Sequence, residues 1–228
     1  MRIRCLTTGR VRGKRRLRGP ARYLPNDWSS QALPVQAFAV EHPEGVCLFD
    51  TGQTAQATQP GYHPRWHPYL RLARFELGPE DEVASQLDPA SVRWVVLSHL
   101  HTDHVGGVGA FANADVLVSR PEWERATGIR GRLRGYLPQH WPEDLEPRLV
   151  DFSGPPAGPF PASHDVAADA SLLMVPLPGH TPGHAGLLVD GRVLLAGDAP
   201  ATPGNFVVVA AHDADARSKL ELIGDEYP

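Results

Sequence analysis

The sequence predicts a mixed α/β (α+β) protein whose two similar strand-rich halves meet at one polar site. Three observations carry this. Apolar, β-branched runs recur at 46–49, 92–98, 172–177, 192–197 and 206–211, with the length and composition of buried strands. Helical patterns fall between or after them, at 80–87, 121–126 and 214–222. Histidines crowd the strand ends in both halves, in SHLHTDHVGG (98–107), PGHTPGH (178–184) and AAHD (210–213). The segment SGPPAGPFPAS (153–163) separates halves of about 1–152 and 164–228 within a single domain, 1–228.

The elements follow in order. Short strands are expected at 2–7 and 35–40, with RVRGKRRLRGPAR (10–22) between them. That run has seven basic residues and no acid. It reads as a solvated hairpin or loop, or as a basic rim for an anionic substrate or product. VCLFDTG (46–52) is a buried strand entering an Asp-Thr-Gly turn. Residues 61–78 read as a loop or lid with a partial helix. Tyr62, Trp66, Tyr69, Leu70 and Phe75 could cover an apolar acyl chain there, or simply pack the loop. His63 and His67 are four apart, but Pro64 and Pro68 interrupt a helix, so both read as surface histidines. Residues 80–87 form a short helix ending before Asp88-Pro89. A strand at 92–98 leads into the histidine motif, and 108–112 opens a short helix. A strand at 115–119 precedes a helix with Pro121 in its first turn. In the second half, strands at 172–177, 185–189 and 192–197 include a hairpin closed by Asp190-Gly191. A strand at 206–211 and a helix at 214–222 complete the chain.

With 228 residues, 42% of them hydrophobic, the chain can bury one substantial core. A net charge of −4 does not suggest a nucleic-acid or membrane-surface protein. Cys5 and Cys47 lie in strand-like stretches and read as two buried thiols. No apolar run approaches ~18 residues, so no membrane-spanning helix is expected. Arg2, Arg4, Arg10 and Arg12 precede no apolar segment, so they are not read as a secretory signal. The expectation is a soluble, cytoplasmic protein, with a homodimer left open.

The chemistry is concentrated in 98–107. His99 and His101, two apart as the chain leaves a strand, can meet one metal ion. Asp103 and His104 follow at once, and four ligands in six positions suit two adjacent ions better than one. Gly106 and Gly107 let the backbone turn behind them. His180, between two Pro-containing turns, is the next ligand candidate; the alternative is a hydrogen-bonded core histidine. His184 reads as a supporting residue that orients a ligand, with direct metal contact as its alternative. Asp198, ending an apolar strand, suits a carboxylate bridging two metals; the alternative is a helix N-cap.

These residues resemble the metal set of the metallo-β-lactamase superfamily. PEGVCLFDTG (43–52), LSHLHTDHVGG (97–107) and LPGHTPGH (177–184) most resemble its N-acyl homoserine lactonase-like branch. The resemblance spans nearly the whole chain. It implies an αββα four-layer sandwich with two divalent ions, usually zinc, at one edge of the sheets. His99, His101 and His180 would hold the first ion. Asp103, His104 and a last histidine would hold the second, with Asp198 bridging. The matching last histidine is His212, in FVVVAAHD (206–213). It follows Asp198 by only 212 − 198 = 14 residues, where the family places a helical crossover. APATPGN (199–205) offers seven residues, at most ~25 Å fully extended, and parallel neighbours usually need a dozen or more. A segment missing between 198 and 206 is therefore expected. The tyrosine that such lactonases often carry shortly after the bridging aspartate is not found in DAPATPG (198–204).

Two ions lower the pKa of a shared water towards ~7 and polarise a carbonyl. The expected activity is hydrolysis of a small ester or lactone, with Asp103 or Asp198 moving the proton. A phosphodiesterase, nuclease or thioesterase is the alternative on the same site, and a non-catalytic metal-binding protein a more distant one.

Overall fold

The computed structural model describes residues 1–14, 28–63, 73–199 and 204–225. Twelve strands among them form two sheets. The first holds β1 (Ile3–Gly13), β2 (Leu33–His42), β3 (Gly45–Phe49), β4 (Ala73–Glu76), β5 (Val92–Val96), β6 (Asp115–Ser119) and β7 (Arg148–Val150), in the order β4-β1-β2-β3-β5-β6-β7. Pairing is antiparallel from β4 to β3 and parallel from β3 to β7. The second holds β8 (His164–Asp165), β9 (Leu172–Pro176), β10 (Ala185–Val189), β11 (Val193–Leu195) and β12 (Val207–Val209), in the order β12-β11-β10-β9-β8.

Strand alternation builds the layers. Phe38, Cys47, Phe49, Trp94 and Val96 face Met174, Leu187, Val189, Leu195 and Val209 of the second sheet, forming the central core. Their neighbours Leu48, Val95 and Val118 point the other way. There they pack under α1 (Val83–Gln86), α2 (Thr102–Val105) and α3 (Arg120–Thr127) through Val83, Val105 and Ala126. On the far face of the second sheet, Val175, Leu188 and Leu194 are covered, among the described residues, by Ala157, Phe160, Ala199 and Phe206. The last helix, α4 (Ala216–Asp225), sets Ala216 and Leu220 into the central core beside β1 and β12.

The β10–β11 hairpin turns at Asp190 and Gly191, with φ of 49° and 65°. Two positive φ values match the right-handed twist of the strands and explain the Asp-Gly pair. Three expectations are corrected. Residues 10–13 are strand rather than loop, because they pair with 73–76, which is also strand rather than lid. Four residues, Ala-Arg-Phe-Glu, carry too little periodicity to announce themselves without that partner. His63 is buried, not a surface residue, and its ring packs against Tyr62 and Phe75. His67, Trp66, Tyr69, Leu70 and most of the basic run lie outside the described residues.

The β11–β12 return is the tight point. The strands pair in parallel, Val193 with Val207 and Leu195 with Val209. The break expected between 198 and 206 falls on 200–203, outside the described residues. No helix among the described residues is long and apolar enough to cross a membrane.

Candidate metal centre

The first sheet delivers its donors just beyond β5. His101 caps α2, whose first turn carries Asp103 and His104. The second sheet contributes His180 from the turn between β9 and β10, Asp198 from the end of β11 and His212 from just beyond β12. All seven residues singled out by the sequence come together.

They form two clusters. The Nδ1 atom of His101 lies 3.1 Å from Nε2 of His99 and 3.0 Å from Nε2 of His180. The far nitrogens of two of these rings face acceptors: His101 Nε2 the Arg134 carbonyl at 3.2 Å, His99 Nδ1 the Ser98 hydroxyl at 3.0 Å. A proton on each far nitrogen leaves the inner lone pairs aimed at a common point. The second cluster joins Asp103, His104 and His212. His212 Nε2 lies 3.6 Å from Asp103 Oδ2, while its Nδ1 donates to the Pro34 carbonyl at 2.7 Å. Asp198 stands between the clusters. Its Oδ1 is 3.3 Å from both His104 Nε2 and His212 Nε2, and its Oδ2 is 3.5 Å from His180 Nε2.

Residues behind the donors hold this arrangement. Asp50 is fully buried and sits at φ 60°, a costly conformation for a residue with a side chain. Its carboxylate accepts from the Ser98 backbone N–H at 2.7 Å, the Ser98 hydroxyl at 2.8 Å and His104 Nδ1 at 2.8 Å. His184 accepts at Nε2 from the Asp198 backbone N–H at 3.1 Å, the supporting position expected of it. Gly197 holds φ 53°, and a Cβ there would stand 2.8 Å from that same His184 nitrogen. Glu122, also buried, accepts from Leu100, Tyr136 and Thr181. Sequence reasoning assigned Asp50 and Glu122 no role. An acid at the end of an apolar run was the one available signal for Asp50. Glu122 looked like any acid in a first helical turn.

Electrostatics at the site call for cations. Burial and neighbouring imidazoles hold His99 well below the ordinary imidazole range, and His101 near about 4. Burial likewise lowers His180, and takes His184 to about 3. These rings are neutral, as ligands must be. His104 goes the other way: burial opposes its charge, but Asp198, Asp50 and Asp103 together raise it well above the usual value. Burial would raise Asp198, yet His104, His212 and His180 hold its carboxyl below the usual carboxylate range. His104 Nε2 and Asp198 Oδ1 are buried without a hydrogen-bond partner. They lie 3.3 Å apart; the charge that the three carboxylates favour on His104 can be carried by a divalent cation between the two atoms, which leaves the ring neutral and satisfies both. The donor set of imidazoles and carboxylates fits two such ions.

Residues 31–225 match the Metallo-beta-lactamase superfamily, and the chain belongs to that family. The chain is 35% identical over 181 residues to the N-acyl homoserine lactonase AttM of Azorhizobium caulinodans, covering 75% of this chain and 66% of that one. It is 35% identical over 165 residues to AttM of Rhizobium radiobacter, covering 69% and 60%. It thus spans about two thirds or less of the length of these curated relatives. A solved structure of an N-acyl homoserine lactone hydrolase, holding the product N-hexanoyl-L-homoserine at its catalytic metal center, superposes with a TM-score of 0.66. It is 24% identical, over 98% of this chain and 87% of that one, a likeness of fold.

Proposed function

We propose that this protein is a dinuclear-metal hydrolase that opens lactone rings of the N-acyl homoserine lactone type, a quorum-quenching activity. The observation that carries the reading is Asp198, whose two oxygens face two separate histidine clusters. His99, His101 and His180 would hold one ion. Asp103, His104 and His212 would hold the other, with Asp198 placed between the two. Zinc suits this set of nitrogen and oxygen donors. When bound, the ions supply Lewis-acid polarisation of the lactone carbonyl and a water acidic enough to attack at neutral pH.

The protein's own groups do the rest. Asp50, Ser98, Arg134 and Pro34 fix ring orientations, so the donors need little reorganisation. Asp103, only 8% exposed, is the carboxylate set to take the proton of the attacking water and pass it to the leaving alkoxide. The ring C–O bond breaks, and the product is a hydroxy acid that releases one proton at neutral pH. Names of the AttM relatives support this substrate class.

The test is ring opening of an acyl homoserine lactone followed by pH-stat, with zinc-loaded protein and a chelated control. Acid release that needs metal supports the proposal. No release from protein carrying two ions per chain would move the activity to other esters, phosphodiesters first.

A further inference from the structure

One carboxylate outside the two clusters ties their loops together. Glu122, in the first turn of α3, is fully buried. Its Oε1 accepts from the Leu100 backbone N–H at 3.1 Å and from the Tyr136 hydroxyl at 2.9 Å. Its Oε2 accepts from the Thr181 hydroxyl at 2.6 Å. Leu100 stands between His99 and His101, and Thr181 follows His180. One side chain thus grips both loops that carry the three-histidine cluster. The N-cap of α3 adds a second grip, because the Ser119 hydroxyl donates to the Gly183 carbonyl. The loop at Gly183 lies so close to the Glu122 backbone that a Cβ has no room there. Asp198 and His212 receive no bond from Glu122; His184, Asp50 and Pro34 hold the elements around them.

We propose that Glu122 is a positioning residue that sets the metal affinity of the His99–His101–His180 cluster while leaving the Asp103–His104–His212 cluster nearly unchanged. This rests on the reading of both clusters as metal sites. Three imidazoles from two separate loops bind an ion tightly only if their lone pairs already converge. Loops free to drift must be ordered by the ion, and that ordering weakens binding. A buried carboxylate needs its donors as much as they need it, so the tie is rigid.

The test measures zinc affinity by chelator competition on the full chain in two backgrounds. His212→Ala keeps the three-histidine cluster intact, and His101→Ala keeps the other. Glu122→Gln, of the same shape, is expected to weaken zinc about 10–100-fold in the His212→Ala background, the usual cost of losing a supporting partner. In the His101→Ala background the change is expected to stay within about threefold, the scatter of such contributions. Visible absorption of the cobalt-substituted single-ion proteins should change on Glu122→Gln only in the first background. Thr181→Val, which removes one arm and leaves the buried acid in place, should weaken the same background by a smaller factor. It decides the matter if Glu122→Gln fails to fold. Equal weakening in both backgrounds, or none in the first, overturns the positioning role. A parent chain that binds no zinc in either background overturns the metal reading itself, and does so before Glu122 is touched.

Discussion

Asp50 shows how much a single side chain contributes to this site. It receives three hydrogen bonds in a buried pocket and accepts the strain of a positive φ to do so. Asp50→Asn keeps the shape but turns one acceptor into a donor facing Ser98 or His104. It is expected to lower zinc affinity about 10–100-fold, measured by chelator competition. Of the two thiols expected to be buried, Cys47 is, while Cys5 is only partly so, and both give a check on packing. Burial pushes Cys5 up to about 11 and Cys47 up to about 12. At pH 8 neither is a thiolate, and the thiolate is the reactive form. Alkylation of the folded protein should therefore be slow at both positions and complete on unfolding; rapid labelling of Cys47 would contradict its packing.

At the level of elements, the turns matter as much as the strands. Gly183 lies against the backbone of Glu122 at the start of α3, with no space for a side chain. Gly183→Ala must push the His180 loop away from α3, so metal content should fall from about two ions per chain towards one. The strands themselves resist truncation through packing. Phe49 is fully buried in the central core, and Phe49→Ala should cost about 3–5 kcal/mol in urea unfolding. Which elements the sequence disclosed follows from the same distinction. The strands β5, β9 and β10 are local apolar runs, and His99, His101, Asp103 and His104 sit within six positions, so both could be read directly. The strand β4 and the extension of β1 exist only because they pair with each other across 60 residues of chain (73 − 13 = 60). Asp50 and Glu122 matter only through tertiary contacts, which leave no spacing to read. His63 was misjudged because the prolines beside it suggested surface loop, while it packs against Tyr62 and Phe75.

Across the whole molecule, two sheets packed over one central core are joined again at one edge by seven converging side chains. Metal binding should therefore stabilise the entire fold. Ligand at 100 times its dissociation constant adds about 2.7 kcal/mol, so chelation should lower the melting temperature measurably. Acid should act on the chelated protein as well. Burial, helped by His140, holds His63 near about 4, below the ordinary value of 6.5. The unfolded chain then binds more protons between those values. The contribution of neutral His63 is complete above about 6.5 and is lost as pH falls towards about 4. His63→Gln should flatten that part of the stability profile. The central claim is that the seven converging donors would hold two ions. Elemental analysis of protein dialysed against zinc, intact and as His212→Ala, tests it most directly. The account predicts two ions per chain falling to one. A single ion in the intact chain, or two in the variant, would contradict it.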